Sequence, residues 1–165
     1  MKLIILCGPT GTGKNTIAEL VAQQRKRCAV VDYDVLRNMF RQPHLTPWDG
    51  EAGSRQNLLG IEHASMLALS FLGNGYDCLV LDVLSDETAE VYREQLRQFN
   101  PMIIHLLPTY DEILRRNRTR PPRLTEQELA TVYKGQCDFS GFDIQIDNTQ
   151  LPPEIVAERI LGFMG

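Results

Sequence analysis

A glycine-rich segment near the start of the chain constrains the fold more than any other feature. It covers residues 8–16 and reads GPTGTGKNT. The apolar run at residues 2–7 precedes it, and apolar residues recur at helical spacing over residues 14–27. A buried strand that ends in a glycine turn and leads into a helix is typical of a parallel α/β sheet. In this context the pattern GxxxxGK predicts a loop that binds phosphate groups.

The residue types in this loop suit the phosphate groups of a nucleoside triphosphate. Backbone N–H groups can converge on phosphate oxygens where no Cβ blocks them, and Gly8, Gly11 and Gly13 allow this approach. The helix N-terminus adds partial positive charge, and Lys14 places an ammonium group against the β- and γ-phosphates. The residues predicted to bind ATP are Gly8, Pro9, Thr10, Gly11, Thr12, Gly13, Lys14, Asn15 and Thr16. A glycine turn that merely joins a strand to a helix is the alternative interpretation.

Apolar runs alternate with helical patterns along the rest of the chain. The predicted strands are residues 2–7, 28–32, 76–83, 102–107 and 142–146. The predicted helices are residues 14–27, 34–40, 54–72, 86–99 and 109–118, with two more that begin near Thr125 and Pro152. This alternation favours right-handed crossovers and a parallel sheet covered on both faces. The predicted fold class is therefore α/β with three layers.

The composition excludes several classes of protein. The 165 residues are 43% apolar and 23% charged, with a formal net charge of -4 and a pI of about 5.4. These values predict one domain over residues 1–165, with no general attraction to nucleic acid or to membranes. The four cysteines are far apart and lack metal-ligand spacing, so we expect reduced thiols. We expect a cytoplasmic monomer or homodimer whose partner is a small molecule.

Acidic residues stand at the ends of two predicted strands. Asp32 and Asp34 come at the end of the second strand, and Asp82 ends the third. The carboxyl ends of parallel strands line the ligand crevice, so these carboxylates are expected beside the phosphate loop. Phosphoryl transfer to an alcohol needs a proton acceptor and oxygen ligands for magnesium or its waters.

Each of these three aspartates has a predicted role. Asp34 is predicted to be the catalytic base, and a cap on the helix over residues 34–40 is its alternative role. Asp32 is assigned to the metal. Asp82 is predicted to hold the water shell of magnesium or to contact the acceptor, with a simple turn residue as the alternative.

Three further residues have competing interpretations. Arg37 lies one helical turn beyond Asp34 and either anchors an anionic acceptor or pairs with Asp34. Trp48 either walls the acceptor pocket or packs under its loop. His105 lies inside an apolar strand and is predicted to be a core histidine rather than a catalyst.

Arginine is concentrated in one segment of an otherwise acidic chain. The members of this cluster are Arg115, Arg116, Arg118, Arg120 and Arg123. Guanidinium groups on a mobile segment can close over a triphosphate and stabilise the transferred charge. We predict a small helical lid over about residues 115–138, with Arg116 and Arg120 as catalytic residues. An exposed basic face is the alternative.

Asn148 lies in a short polar segment after the last predicted strand. A loop at this position is expected beside the adenine, so Asn148 is predicted to bind the nucleotide. The tripeptide at residues 147–149 is also compatible with a simple Asx-rich turn.

These motifs resemble those of one group of enzymes. The segments GPTGTGKNT, DYD at residues 32–34, RNRTRP at residues 116–121 and DNT at residues 147–149 are similar to motifs of small P-loop kinases. The similar members are of the shikimate, gluconate, adenylate and chloramphenicol kinase type. The resemblance spans the chain and implies ATP and Mg²⁺ as cofactors and a five-stranded sheet in the order 2-3-1-4-5. It also implies a base at Asp34, a metal role for Asp32, Arg116 on adenine and Arg120 on the phosphates.

Asn15 departs from the usual phosphate loop, in which Ser or Thr follows the lysine. The loop of nucleoside monophosphate kinases is similar, because a non-hydroxyl residue follows its lysine and a threonine comes next. This resemblance implies that magnesium is held largely through water and that Thr16 bonds the α-phosphate. Thr16 is also a candidate metal residue.

The favoured function is transfer of the ATP γ-phosphoryl group to a hydroxyl of a small molecule, such as a metabolite, a sugar acid or an antibiotic. The chain lacks the glycine and arginine pattern by which shikimate kinases hold a carboxylate, so the acceptor is not identified. A nucleoside or nucleotide acceptor is the alternative, and it needs a stacking aromatic such as Tyr33, Phe40 or Trp48. A non-catalytic nucleotide-binding switch or interaction protein is the alternative from another class.

Overall fold

The structure, a computed structural model, describes residues 1–119 and 124–165. The strands are β1 (Leu3–Cys7), β2 (Cys28–Asp32), β3 (Asp77–Asp82), β4 (Met102–Leu106) and β5 (Ile144–Ile146). The helices are α1 (Lys14–Gln23), α2 (Tyr33–Arg37), α3 (Gly50–Gly73), α4 (Asp86–Gln95), α5 (Tyr110–Arg118), α6 (Glu126–Asp138) and α7 (Pro153–Met164). A short 3₁₀ turn (Arg97–Phe99) follows α4.

The five strands form one parallel sheet in the order β2-β3-β1-β4-β5. β1 lies at the centre and pairs with β3 on one side and β4 on the other. Helices connect successive strands, as the alternation of apolar runs and helical patterns predicts. The α/β class, the three layers and the strand order 2-3-1-4-5 are confirmed.

Alternate side chains of the central strands enter two separate cores. Ile5 and Val80 pack with residues of α3 and α4, whereas Leu6 and Leu79 pack with residues of α1 and α7. Strands that are buried on both faces are apolar at nearly every position, which makes them recognisable in the sequence.

The register of the sheet brings several strand ends to one edge. Cys7, the last residue of β1, pairs with Asp82, and Asp32 at the end of β2 pairs with Leu81. The phosphate loop begins at the next residue after Cys7. The rigid core therefore places this loop and the aspartates at the same edge.

The helices differ from the sequence prediction mainly at their ends. α1 ends at Gln23 rather than at residue 27, and α3 begins at Gly50 rather than at residue 54. The loop before α3 packs closely on the helix, because a Cβ on Gly53 would overlap the carbonyl oxygen of Thr46. None of the helices within the two described ranges has the length and apolarity needed to cross a membrane.

His105 of β4 is a buried core residue, as predicted. The Gln145 amide donates a hydrogen bond to Nδ1 at 3.1 Å, which leaves Nε2–H to donate to Gln136 Oε1 at 3.2 Å. Burial lowers the pKa of His105 to about 4, so the ring is neutral at physiological pH. The bond to Gln136 also anchors the C-terminal part of α6 to the sheet.

Candidate active site

Residues 8–13 form an open loop between β1 and α1, and residues 14–16 form the first turn of α1. Gly8, Gly11 and Gly13 have φ values of 145°, 96° and 93°, a region that glycine adopts without strain. A Cβ on Gly8 would also overlap the carbonyl oxygen of Leu106. Gly13 is the N-cap of α1, and no side chain of the described residues caps this helix. The first N–H groups of α1 are therefore left for an anion, which fits the phosphate site that the sequence predicts.

The Lys14 side chain is folded back onto this loop. Its Nζ donates to the carbonyl oxygens of Gly8 at 2.6 Å and Pro9 at 3.2 Å. Burial lowers the pKa of Lys14, and the carboxylates of Asp34 and Asp82 act against this shift. A phosphate would compete with the two carbonyl groups for the ammonium, because hydrogen bonds between charged partners are stronger than those to neutral acceptors.

Asp32, and not Asp34, caps the short helix α2, which corrects the alternative role considered for Asp34. Asp32 Oδ1 accepts a hydrogen bond from the Asp34 N–H at 2.9 Å, and Asp32 Oδ2 accepts one from Asn15 Nδ2 at 2.6 Å. Asp34 lies in the first turn of α2 and is exposed. Its carboxylate is therefore not engaged in capping this helix.

Asp82 is the most buried of the three carboxylates. The residue is 7% exposed, and it accepts hydrogen bonds from the Val83 N–H at 2.7 Å and the Tyr92 hydroxyl at 2.9 Å. Burial raises the pKa of Asp82 to about 7, although both hydrogen bonds oppose the rise. The carboxyl group is therefore close to half-protonated near neutral pH.

The donor set at this edge suits a magnesium ion that also binds phosphate and water. Within residues 1–119 and 124–165, no three His, Cys, Asp or Glu side chains converge to form a complete metal site. Mg²⁺ usually keeps several waters and uses one or two carboxylates together with substrate phosphates. Asp32, Asp82 and the Thr16 hydroxyl fit such an ion as partial or water-mediated ligands.

A cavity of about 310 Å³ lies beside the phosphate loop. It is lined by Gly11, Thr12, Gly13, Thr16, Ile17, Glu112, Arg115, Arg116, Asn148, Leu151 and Pro153. A larger cavity of about 390 Å³ lies near the start of β3, but its lining at residues 24–27, Gly75 and Asp77 contains none of the predicted site residues. The smaller cavity is therefore the candidate nucleotide pocket.

Arg116 ties α5 to this pocket. Its guanidinium group donates to the Thr12 carbonyl at 3.2 Å, the Asn148 carbonyl at 3.1 Å and the Glu112 carboxylate at 2.6 Å. The side-chain amide of Asn148, which is 2% exposed, donates to the same Thr12 carbonyl at 2.8 Å. Two residues predicted to contact adenine thus share one pocket with the phosphate loop.

Tyr33, the first residue of α2, is a packing residue. It is 5% exposed, and its hydroxyl donates to Asn57 Oδ1 at 2.6 Å. Its ring packs on Gly60 of α3, where a Cβ would lie 2.7 Å from Tyr33 Cε2. Tyr33 is therefore not available to stack on a nucleobase.

The loop after α2 presents exposed side chains. Trp48 is 74% exposed, so the predicted packing under its loop is wrong. Phe40 stacks on His63 with ring centroids 6.1 Å apart. Arg37 donates to the Leu45 carbonyl at 3.3 Å and, in the described part of the chain, forms no ion pair with Asp34. The predicted ion pair between Arg37 and Asp34 is therefore wrong, because the guanidinium group binds the loop backbone instead.

Several solved structures, two of the three below named as kinases, share this architecture. The tunicamycin resistance protein of Deinococcus radiodurans is similar over 100% of this chain and 96% of its own, with a TM-score of 0.73 and 17% identity. A sugar kinase from Janibacter sp. is similar over 99% and 94%, with a TM-score of 0.74 and 18% identity. Shikimate kinase from Bacteroides thetaiotaomicron is similar over 99% and 98%, with a TM-score of 0.71 and 14% identity. The chain has the P-loop kinase fold. No protein-family model and no curated protein sequence matches it.

Within this P-loop kinase fold, tertiary packing creates side-chain contacts that the sequence analysis missed. They join Asn15 to Asp32, Tyr92 to Asp82, and Glu112 to both Arg115 and Arg116. Hydrogen bonds from these arginines hold the pKa of Glu112 at about 2. The Glu112 pairs follow helical spacing and were detectable in the sequence. The other two contacts join separate elements and carry no local signal.

Part of the predicted lid is described. α5 and α6 lie on either side of residues 120–123. Arg118 pairs with Glu126 across that interval at 3.1 Å. Arg120, predicted to be catalytic, and Arg123 lie outside the described residues.

Proposed function

We propose that this protein is an ATP- and Mg²⁺-dependent kinase that transfers the γ-phosphoryl group to a hydroxyl of a small-molecule acceptor. The observation that supports it most is the edge of the sheet shared by the phosphate loop, Lys14 and the exposed carboxylate of Asp34. Solved kinases with the same fold support the same reaction class.

The donor half of the reaction uses the backbone first. The N–H groups of the glycine loop and of the first turn of α1 bind the phosphate oxygens. Lys14 leaves the carbonyl oxygens of Gly8 and Pro9 and stabilises the charge that develops during transfer. Arg116 and Asn148 hold the adenine side of the pocket. Asp32, Asp82 and Thr16 would hold a magnesium ion, largely through its waters, and the ion would neutralise part of the phosphate charge.

The acceptor half depends on Asp34. An exposed carboxylate at this edge can orient the acceptor hydroxyl and accept its proton, while the hydroxyl oxygen bonds to the γ-phosphorus and the bond from that phosphorus to the departing ADP breaks. Asp82 and Asp32 then remain as candidates to hold the waters of magnesium. Positioning of the two reactants provides much of the rate, because little covalent chemistry is left to the protein.

An ATP-consumption assay with Mg²⁺ tests this function across panels of sugars, sugar acids, nucleosides and antibiotics. We expect acceptor-dependent ADP release that falls about 10²- to 10³-fold in Lys14→Ala, because a charge-stabilising group is lost. Lys26→Ala removes an exposed lysine that lies three residues beyond the C-terminal end of α1, and it is the matched control.

Two outcomes would contradict the proposal. Failure to bind ATP would remove the donor half altogether. Binding of ATP without turnover on any acceptor class would favour the non-catalytic switch. Turnover on nucleosides alone would select the nucleoside kinase alternative, with exposed Trp48 as the aromatic left to stack on the base.

A further inference from the structure

Asn15 makes a contact that spans part of the sheet. Its Nδ2 lies 2.6 Å from Asp32 Oδ2. Asn15 belongs to α1, which follows β1, whereas Asp32 ends β2, and β3 lies between these two strands. Neighbouring strands are about 4.8 Å apart, so the contact connects elements whose strands lie about 10 Å from each other. The phosphate loop is thereby linked to a distant strand end.

The same carboxylate holds the first turn of α2. Asp32 Oδ1 accepts the Asp34 N–H at 2.9 Å. α2 has only 5 residues, and its buried side chains are Tyr33 and Leu36. The N-cap therefore has a large share in fixing the first turn, where Asp34 lies. Since Asn15 holds the other oxygen of Asp32, it holds the rotamer on which this cap depends.

The atom that Asn15 presents to Asp32 is not one that binds a metal ion. A carboxylate only accepts hydrogen bonds, so Asn15 presents its amide nitrogen to Asp32. This nitrogen does not coordinate a cation, unlike the hydroxyl that usually follows the lysine of a phosphate loop. The hydroxyl of Ser or Thr is also one bond closer to the backbone than this nitrogen, so it reaches less far toward Asp32.

We propose that Asn15 is a positioning residue, which links the phosphate loop to α2 through Asp32 and so directs the Asp34 carboxylate toward the acceptor. The catalytic consequence rests on the proposed kinase function. The link itself does not rest on that function, because it consists of two hydrogen bonds within the protein. Asp32 then acts through geometry at least as much as through its charge.

Hydrogen exchange tests the link without any acceptor. Asn15→Ala frees the Asp32 side chain, and we expect exchange at the Asp34 amide, followed by NMR, to accelerate about 5- to 30-fold, as for the loss of a helix cap. Asp32→Ala should accelerate it by at least as much. The double variant Asn15→Ala/Asp32→Ala should add nothing beyond Asp32→Ala, because both changes break one chain of bonds.

Asp32→Asn is the matched variant. Its new amide keeps an oxygen for the Asp34 N–H, and the Asn15 amide can turn its own oxygen toward the new nitrogen. The link then survives while the negative charge is lost. We expect exchange at the Asp34 amide to remain slow in this variant.

Kinetics test the consequence for catalysis. With MgATP and an acceptor found in the screen, or with water as the acceptor, we expect kcat of Asn15→Ala to fall about 10- to 100-fold. KM for ATP should change less than about threefold, because the loop and Lys14 remain. Asn15→Thr supplies the usual hydroxyl and should not restore kcat.

The outcomes separate this inference from the proposed function. Fast exchange at Asp34 in Asn15→Ala together with an inactive parent protein would support the link and remove the kinase function. Unchanged exchange in Asn15→Ala would overturn the positioning role, whatever the turnover. Full kcat in Asn15→Thr, or a KM effect that exceeds the kcat effect, would overturn it as well, because Asn15 would then act on the nucleotide or on magnesium.

Discussion

The half of the candidate site that we assign to the nucleotide, the donor half, is built differently from the acceptor half, which we assign to the acceptor. In the donor half, a single carbonyl group, that of Thr12, accepts hydrogen bonds from both Arg116 and Asn148. In the acceptor half, α2 has only 5 residues. In the loop over residues 38–49, Met39 is 66% exposed and Trp48 is 74% exposed. One half is tied together across the molecule, and the other carries exposed side chains on short elements.

This difference indicates where each kind of specificity resides. Phosphate recognition uses backbone N–H groups and glycine conformations, which any nucleoside triphosphate can satisfy. An acceptor must be recognised by side chains, and those on a surface loop can change at little cost in stability. We therefore expect the identity of the acceptor to depend on the acceptor half of the site, which is the less constrained of the two.

Asp34→Asn should separate the two halves most clearly. Loss of the proton acceptor should lower acceptor-dependent kcat about 10²- to 10⁴-fold. KM for ATP should stay within a few-fold of the parent value, because Asp34 belongs to the acceptor half. Steady-state kinetics at varied ATP checks this, with Glu158→Gln on the exposed side of α7 as the control. A large change in KM for ATP with kcat preserved would place Asp34 in the donor half.

Asp82 lies at the boundary between the halves, and Asp82→Asn should have two opposite effects. It should stabilise the fold, because it removes a buried negative charge, and it should impair catalysis, because Asp82 is a candidate to hold the waters of magnesium. The folded-state pKa of about 7 lies above the ordinary aspartate value of 3.8, so between about pH 4 and pH 7 the folded chain keeps a proton that the unfolded chain has released. Parent stability therefore falls as pH rises through this window.

Thermal melts at several pH values check the effect of Asp82→Asn. At pH 8 the variant should melt up to about 10 °C higher than the parent protein, and the difference should vanish near pH 4. The new amide can still accept from the Val83 N–H, so packing is preserved. An equal difference at both pH values would show that ionisation of Asp82 is not its cause.

Arg116→Ala should weaken the donor half alone. Three charge-assisted hydrogen bonds are lost, and we expect KM for ATP to rise about 10-fold or more. Arg118→Ala is the control, because Arg118 lies on the same helix but pairs with Glu126 outside the lining of the cavity, and its side chain is 65% exposed. Nucleotide titration by calorimetry would compare the two variants. Equal losses would mean that local positive charge, and not the tether to Thr12 and Asn148, holds the nucleotide.

Gly60→Ala should have the smallest effect, and it should be confined to the acceptor half. The new methyl group meets the Tyr33 ring, so the free energy of unfolding should fall by about 1–3 kcal/mol. Gly73→Ala is the control, since among the described residues no atom outside its own stretch of helix lies within 4 Å of its added Cβ. Urea unfolding of both variants checks this. A neutral Gly60→Ala would show that α2 is free to move away from α3.

The elements that sequence reasoning predicted well are those with local causes. β1 and β3 are continuous apolar runs because both of their faces are buried. The start of α3 was missed because the loop before it packs on the helix, where the Thr46 carbonyl lies against Gly53. The cap of α2 was misplaced by two residues, from Asp32 to Asp34. Either aspartate satisfies the local rule, and the contact with Asn15 favours the first.

The phosphate loop was determined by the sequence alone. Its apolar strand, its glycines at positive φ, and Lys14 are contiguous in the chain, so local conformation and a helix N-terminus suffice to build it. Only the tertiary structure decided how the aspartates are used. Asp32 and Asp82 end different strands, and the parallel register of the sheet brings them to the edge where Asn15 and Tyr92 make their contacts. Partners so far apart in the chain leave no periodicity or spacing by which a sequence can reveal them.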